Sequence, residues 1–397
     1  MMAEHPMITL RPEKQGTFFA RHPWVLNKSL AKVPAQLAGG EVVDLVLPDG
    51  RWVARGLYSA QSRIQVRLYT WDRQTEINDA FWHKQLSQAI SLRRGLGLLG
   101  PAQAARLVFS EADGLSGLIV DRYADYLVVQ FTAAAMLQRK ATIVEWLQRE
   151  LAPTGIVTRI DQRTARAEGM EEQEEWVYGA APSGPVEFQE HGVRLQVDLN
   201  ESQKTGYYLD QRDNRWQAAT YFRDRDVLDV CCYIGGFSLA ALRGGARSVL
   251  AVDTSQRAID QAREHARLNE VENISFDVGD CFELLDRYRQ ERRAFSAIVL
   301  DPPRFASNRR GLSQAIQAYH RLNRFAMELL EPEGILVSCS CSGLVTREDF
   351  RHMLVGASRK AQRDLQILEQ RGAAPDHPVR LSCPETEYLK CFICRVL

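Results

Sequence analysis

The spacing of apolar positions changes along this chain. Ile64, Val66 and Leu68 alternate with Gln65, Arg67 and Tyr69, the two-residue period of a half-buried strand with a polar face. Upstream, Val42 to Leu47 runs into the turn Pro48-Asp49-Gly50, and Trp52-Val53-Ala54 starts a return strand. Beyond residue 76 the pattern mixes. Helical spacing covers Ile77 to Leu92 and about Leu137 to Leu151, where Pro153 stops it. Between them, Leu118–Val120 and Tyr126–Phe131 form a hairpin after the turns Asp113-Gly114 and Ser116-Gly117. From about 184 a hairpin, Val186 to Glu190 and Val193 to Leu199, leads into regular alternation. Strands are predicted at Val227–Val230, Ser248–Val252, Ile274–Val278, Ala297–Leu300, Ile335–Cys339 and Tyr388–Val396. Helices fall between them, at Phe237–Leu242, Gln256–Asn269, Gln314–Leu330 and Arg347–Asp364.

This pattern divides the chain into a small β module (1–75), an α+β central segment (76–183) and an α/β segment (184–397). The run Ala180 to Pro185 is the linker candidate. Strand and helix in alternation mean a doubly wound, mostly parallel sheet with helices on both faces. Ligands on such sheets bind beyond the carboxyl ends of the strands.

Composition sets the class. The 397 residues suffice for two or three domains, and 45% hydrophobic with 25% charged residues are globular averages. No run reaches the ~18 apolar residues of a membrane span. The N-terminus has no basic stretch followed by an apolar one, so the expectation is a cytoplasmic protein with no membrane partner and with reduced thiols. The pair Cys391 and Cys394 lies in a strand run and points to opposite faces, which suits neither zinc nor a redox pair, and no metal is expected.

Charge changes the picture only when it is divided. Fifty basic and fifty acidic residues cancel, yet residues 1–75 carry ten against six, 76–200 twelve against seventeen, and 201–397 twenty-eight against twenty-seven. In the basic front module Arg21, His22, Trp24, Arg51, Trp52, Arg55, Arg63 and Arg67 interleave cations with aromatic rings. This composition fits an RNA-reading surface as well as it fits a scaffold with a solvated arginine face.

Candidate chemistry collects at the predicted strand ends. The first strand runs through Asp229 into Cys-Cys-Tyr233-Ile-Gly235-Gly236, a turn that lets backbone approach a ligand closely. No phosphate-cradling G-x-x-x-x-G-K-S/T motif occurs. Asp253 ends the second strand, where a carboxylate can accept both hydroxyls of a ribose, and Asp280 follows the third, placed to meet an adenine. Together they make a nucleoside pattern without a pyrophosphate loop, which fits a methyl-donor nucleoside. The fourth strand ends in Asp301-Pro302-Pro303-Arg304-Phe305, similar to the Asp/Asn-Pro-Pro-aromatic signature of methyltransferases that act on planar nitrogens or bases. The fifth runs into Ser338-Cys339-Ser340-Cys341-Ser342-Gly343. A thiolate there could add to carbon 6 of a pyrimidine and activate carbon 5, with Asp301 near ring nitrogen 3.

At these residues the chain resembles the bacterial ribosomal large-subunit RNA cytosine-5 methyltransferases of the RlmI type, over essentially its whole length. The most specific match is Gln203-Lys204-Thr-Gly-Tyr207-Tyr208-Leu-Asp-Gln-Arg212. The strand-end motifs support it, as do Arg21-His-Pro-Trp-Val25 and Arg55-Gly-Leu-Tyr-Ser59 in the front module and Glu111-Ala-Asp-Gly114 in the centre. The resemblance implies a PUA domain ahead of a Rossmann-like class I methyltransferase domain. It also implies S-adenosyl-L-methionine as donor and 23S rRNA, or a large-subunit assembly intermediate, as partner. Cys341 matches the family's nucleophile, with Asp301 holding the base. Asp229, Tyr233, Gly235, Gly236, Asp253 and Asp280 are expected around the donor. Lys204, Tyr208, Arg212, Pro302, Pro303, Arg304 and Phe305 are expected around the substrate. Arg304 replaces the commoner lysine, and Cys339 is an additional thiol beside the nucleophile position. A homodimer is left open. The rivals are methylation of a purine nitrogen and a non-catalytic RNA-binding assembly factor.

Overall fold

The period-two stretch of the front module folds into antiparallel neighbours, Val42–Val46, Trp52–Tyr58 and Ile64–Thr70. In the computed structural model, which describes residues 4–200, 206–306 and 308–397, they belong to a six-stranded sheet. Gly56 is required there, because a Cβ would stand 2.2 Å from the Arg67 carbonyl oxygen of the adjacent strand. The chain divides into two compact units. The first comprises Met1–Phe188, Gln196–Leu209 and Pro375–Thr386; the second comprises Gln189–Leu195, Asp210–Ala374 and Glu387–Leu397.

The first unit also contains a five-stranded sheet, ordered Gln173–Gly179, Gly155–Ile160, Tyr126–Phe131, Leu118–Tyr123, Ala104–Phe109. Helices Asp79–Gly95 and Lys140–Leu151 bury Trp82, Leu86, Ile90, Ile143 and Leu147 in one core with that sheet. The polar face expected of the front strands is not solvated. Arg55 is 2% exposed, with Nε donating to Asp44 at 2.8 Å. Arg67 is 4% exposed and donates to Glu168 at 2.8 Å. Trp24 Nε1 donates to Glu111, and although burial opposes it, Arg67, Ser116 and Trp24 hold the Glu111 carboxyl below its usual range. Arg55 and Arg67 are therefore internal and Trp24 is partly buried; Arg55 pairs with an acid on the neighbouring strand, Arg67 and Trp24 with acids from distant segments. Arg21, Arg51 and Arg63 remain exposed.

The second unit is built on a seven-stranded sheet. Its strands are β1 (Asp226–Val230), β2 (Ser248–Asp253), β3 (Ile274–Val278), β4 (Phe295–Leu300), β5 (Leu330–Ser340), β6 (Leu365–Arg371) and β7 (Lys390–Val396). The order is β3-β2-β1-β4-β5-β7-β6, parallel except that β7 runs antiparallel to β5 and β6. Strands β1 and β4 are buried along nearly their whole length because helices cover both faces, and β4 is accordingly a near-continuous apolar run. The helices are α1 (Arg212–Ala219), α2 (Gly236–Arg243), α3 (Gln256–Leu268), α4 (Cys281–Gln290), α5 (Leu312–Leu329) and α6 (Arg347–Ala361). No helix among the described residues is long and apolar enough to cross a membrane.

Candidate active site

The order reverses between β1 and β4, and the predicted residues stand at that switch point and on the strands beside it. After β1 the chain turns sharply. Cys231, Tyr233 and Gly235 all take positive φ, and Gly235, at +82°, caps α2. Asp253 at the end of β2 holds this turn. One carboxylate oxygen accepts Tyr233 N–H at 2.9 Å and the other accepts Ser255 N–H at 2.9 Å. Asp229 is fully buried; its Oδ2 accepts the Ser238 hydroxyl at 2.6 Å, while its Oδ1 has no hydrogen-bond partner among the described residues. Burial is the chief cause that pushes its pKa up to about 6. A buried oxygen awaiting a donor, beside a glycine turn and a second carboxylate, fits the polar atoms of S-adenosylmethionine. Asp280 is exposed and caps α4, its Oδ1 accepting Phe282 and Glu283 N–H. The helix predicted by nothing in the apolar spacing after Asp280 is what uses it.

Asp301 stands just past β4, partly buried. Its Oδ1 accepts Gln211 Nε2 at 2.9 Å; Asn214 in turn donates to Gln211 Oε1 at 2.7 Å and accepts Arg371 Nε at 3.0 Å. The Gln203–Arg212 motif thus reaches the site through Gln211, a residue the sequence reading did not single out. Pro302 is buried and Pro303 and Arg304 are exposed. Phe305 packs edge-on against Tyr319 with ring centroids 4.8 Å apart, a core contact more than a substrate face. Arg212 is 5% exposed with Nε on Asp213, so it is internal as well. Tyr208 is exposed and belongs to the first unit. Lys204 lies outside the described residues.

Cys341 follows the end of β5 and is half-buried. Cys339 is fully buried and in register with Cys391; its hydrogen bond to Cys391, then burial, push its pKa well above the ordinary thiol value. Of the two thiols, the one open to a substrate is Cys341. Two side chains near it carried no local signal in the sequence. The Tyr319 hydroxyl, from α5, accepts the Ser340 hydroxyl at 3.0 Å and feels the charges of Cys341 and Asp301. Lys390, from β7, is buried and feels Cys341.

A further set, in the first unit, brings ligand atoms of His22, Cys383 and Glu385 within 4.8 Å. Trp24 N–H donates to His22 Nδ1 at 3.2 Å, which puts the ring proton on Nε2, facing Glu385 at 3.2 Å. A metal would need that nitrogen bare, so the three groups are a hydrogen-bonded set.

Residues 158–384 match the family model described as S-adenosylmethionine-dependent methyltransferase, and residues 8–71 match that of a PUA-like domain. Ribosomal RNA large subunit methyltransferase I of Klebsiella pneumoniae (strain 342) is 39% identical over 394 residues, 99% of this chain and 98% of the relative. The protein of the same name from Escherichia coli O139:H28 is 38% identical over 98% of this chain and 99% of its own. A crystal structure complexed with SAH superimposes with a TM-score of 0.85 at 21% identity, covering 98% of this chain and 99% of that one. A structure from Streptococcus mutans gives 0.84 at 20% identity over 98% of this chain and 100% of its own. These two solved structures share the fold.

Proposed function

The chain belongs to the family of ribosomal RNA large subunit methyltransferase I, and from that membership we propose that it converts one cytosine of 23S rRNA to 5-methylcytosine through a covalent adduct at Cys341. The observation that carries this reading is a pair at adjacent strand ends: the half-buried Cys341 after β5 and, after β4, a carboxyl whose pKa is raised to about 7. Methylation of a purine nitrogen needs no thiol.

S-adenosylmethionine, the donor, supplies an electrophilic methyl group when bound. Asp229 and the Gly235–Gly236 turn would hold its amino-acid end, Asp253 its ribose and the second oxygen of Asp280 its adenine, with Tyr233 held beside them by Asp253. Carbon 5 of cytosine is too weak a nucleophile to take up the methyl unaided. The Cys341 thiolate adds to carbon 6 while protonated Asp301 gives its proton to ring nitrogen 3, so that the electron pair of the old 5,6 double bond is delivered to carbon 5 as an enamine. Once carbon 5 carries the methyl, a base removes its hydrogen. The pair from that C–H bond expels the thiolate, and nitrogen 3 returns its proton to Asp301. Pro302 fixes the exit of β4, and Pro303, Arg304 and Phe305 form the loop that follows it. Tyr208, Lys204 and Arg212 belong to the segment we assign to the substrate side, and the exposed Arg21, Arg51 and Arg63 of the PUA-like domain to RNA phosphate.

Bisulfite sequencing of 23S rRNA from cells with and without the protein tests the reading. One 5-methylcytosine should disappear and should not return with Cys341→Ser. Loss of a purine methyl group with every cytosine unchanged would contradict it.

A further inference from the structure

Lys390 opens β7 in register with Ser340, the residue before Cys341. It is 2% exposed, and a lysine with so little water around it needs compensation for its charge. Its Nζ donates to the carbonyls of Ser342 and Tyr388, both neutral. The ammonium has three donors, so these carbonyls leave a third and provide no countercharge. Burial pulls its pKa down to about 8, and the largest influence in the other direction is the charge of Cys341. Of the remaining charges that face it, Arg347 and Arg304 act with burial, and Glu387 against it. Glu387 is itself exposed and paired with Arg347 at 2.9 Å, so it is a shared and screened partner.

We propose that Lys390 is the positioning residue of Cys341: its ammonium is the counter-ion that keeps the sulfur a thiolate, and its bonds to Ser342 and Tyr388 fix the loop around it. The inference rests on Cys341 being the nucleophile. The proton balance is internal to the pair. The S–H bond breaks as an N–H bond forms on neutral Nζ, and the thiolate expelled at the end of the reaction returns to the same ammonium.

The test reads the sulfur without turnover. In the full-length chain, the rate of iodoacetamide alkylation at Cys341, resolved by peptide mass spectrometry, is followed against pH for the native protein, Lys390→Met and Lys390→Arg. The midpoint should rise by about one pH unit or more in Lys390→Met, roughly a tenfold slower reaction near neutrality, and Lys390→Arg should restore most of it. A purely structural lysine would not move that midpoint, and equal midpoints in the native protein and Lys390→Met would overturn the proposal. Should Lys390→Met not fold, Cys341→Ser labelled with 13C at lysine Cε keeps it open to refutation. Lys390 should then titrate lower than in the native protein, and an unchanged midpoint would overturn the proposal. Persistent cytosine methylation by Cys341→Ser would refute the adduct chemistry and leave both titrations readable.

Discussion

At Asp301, burial and the neighbouring carboxylate of Asp210 outweigh the hydrogen bond from Gln211 and the charge of Arg215, and the carboxyl is raised from 3.8 to about 7. Two consequences follow at this one residue. The folded chain keeps a proton between about pH 4 and 7 that the unfolded chain has released, so this group's contribution to stability falls as pH rises through that window and stays low above it. Asp301→Asn removes the titration and keeps an acceptor for Gln211. It should match the native protein in stability near pH 4 and exceed it by about 1–3 kcal/mol at pH 8, measured by denaturant unfolding. A difference that did not vary with pH would contradict this assignment. Under the proposed mechanism nitrogen 3 takes its proton from this carboxyl, so methyl transfer should decline above pH 7, and Asp301→Asn should lose the reaction without losing the fold. Asp253, Asp301 and Cys341 could be found in the sequence because each directly ends a strand of strong apolar pattern. Gln211, Tyr319 and Lys390 could not. They arrive from a turn, a helix and a distant strand whose own spacing says nothing about what lies across the sheet.

Among the elements, the turn between β1 and α2 is the one on which the proposed donor site depends most. Its backbone has three residues at positive φ, two of them not glycine, and the Asp253 carboxylate holds it across from the next strand. Asp253→Ala removes the acceptor of both Tyr233 and Ser255 N–H and, under the proposed donor placement, the ribose contact. Hydrogen bonds to a charged acceptor contribute about 1.5–3 kcal/mol each. The affinity for S-adenosylhomocysteine, measured by calorimetry, should therefore fall by about tenfold or more; an unchanged affinity would remove Asp253 from the site. The central parallel strands were legible because helices bury both faces there, most completely along β4, and their apolar residues cluster in short runs. Edge elements were not. β6 presents exposed residues over much of its length, and the strand Gln173–Gly179 carries Glu174 and Glu175, which look like a solvated acidic run until Arg159 is seen to pair with Glu174 at 3.1 Å. Helix α4 went unpredicted because its apolar set, Leu284, Leu285 and Tyr288, is short and interrupted by charge.

For the whole molecule, the equal numbers of acids and bases are less informative than where they sit. Arg55 and Arg67, which made the front module look like an RNA-binding face, are structural cations with buried acidic partners. The residues 375–386, far along the chain, return to the first unit, where Asp376 is fully buried and accepts Arg106 N–H at 3.0 Å. No local pattern announces such a return, since its partners lie about 270 residues away. What remains exposed on the PUA-like domain, including Arg21, Arg51 and Arg63, is a modest positive charge, which under the proposed function orients a polyanion while the site itself selects the base. Under the proposed mechanism that selection rests on covalent capture of a pyrimidine. It is tested most directly by incubating the full-length protein and S-adenosylmethionine with 23S rRNA transcribed with 5-fluorocytidine, whose carbon 5 carries no hydrogen for a base to remove. A denaturation-resistant protein–RNA adduct should form, map to Cys341 by mass spectrometry and vanish in Cys341→Ser. Absence of any adduct under conditions where unmodified rRNA is methylated would contradict the account.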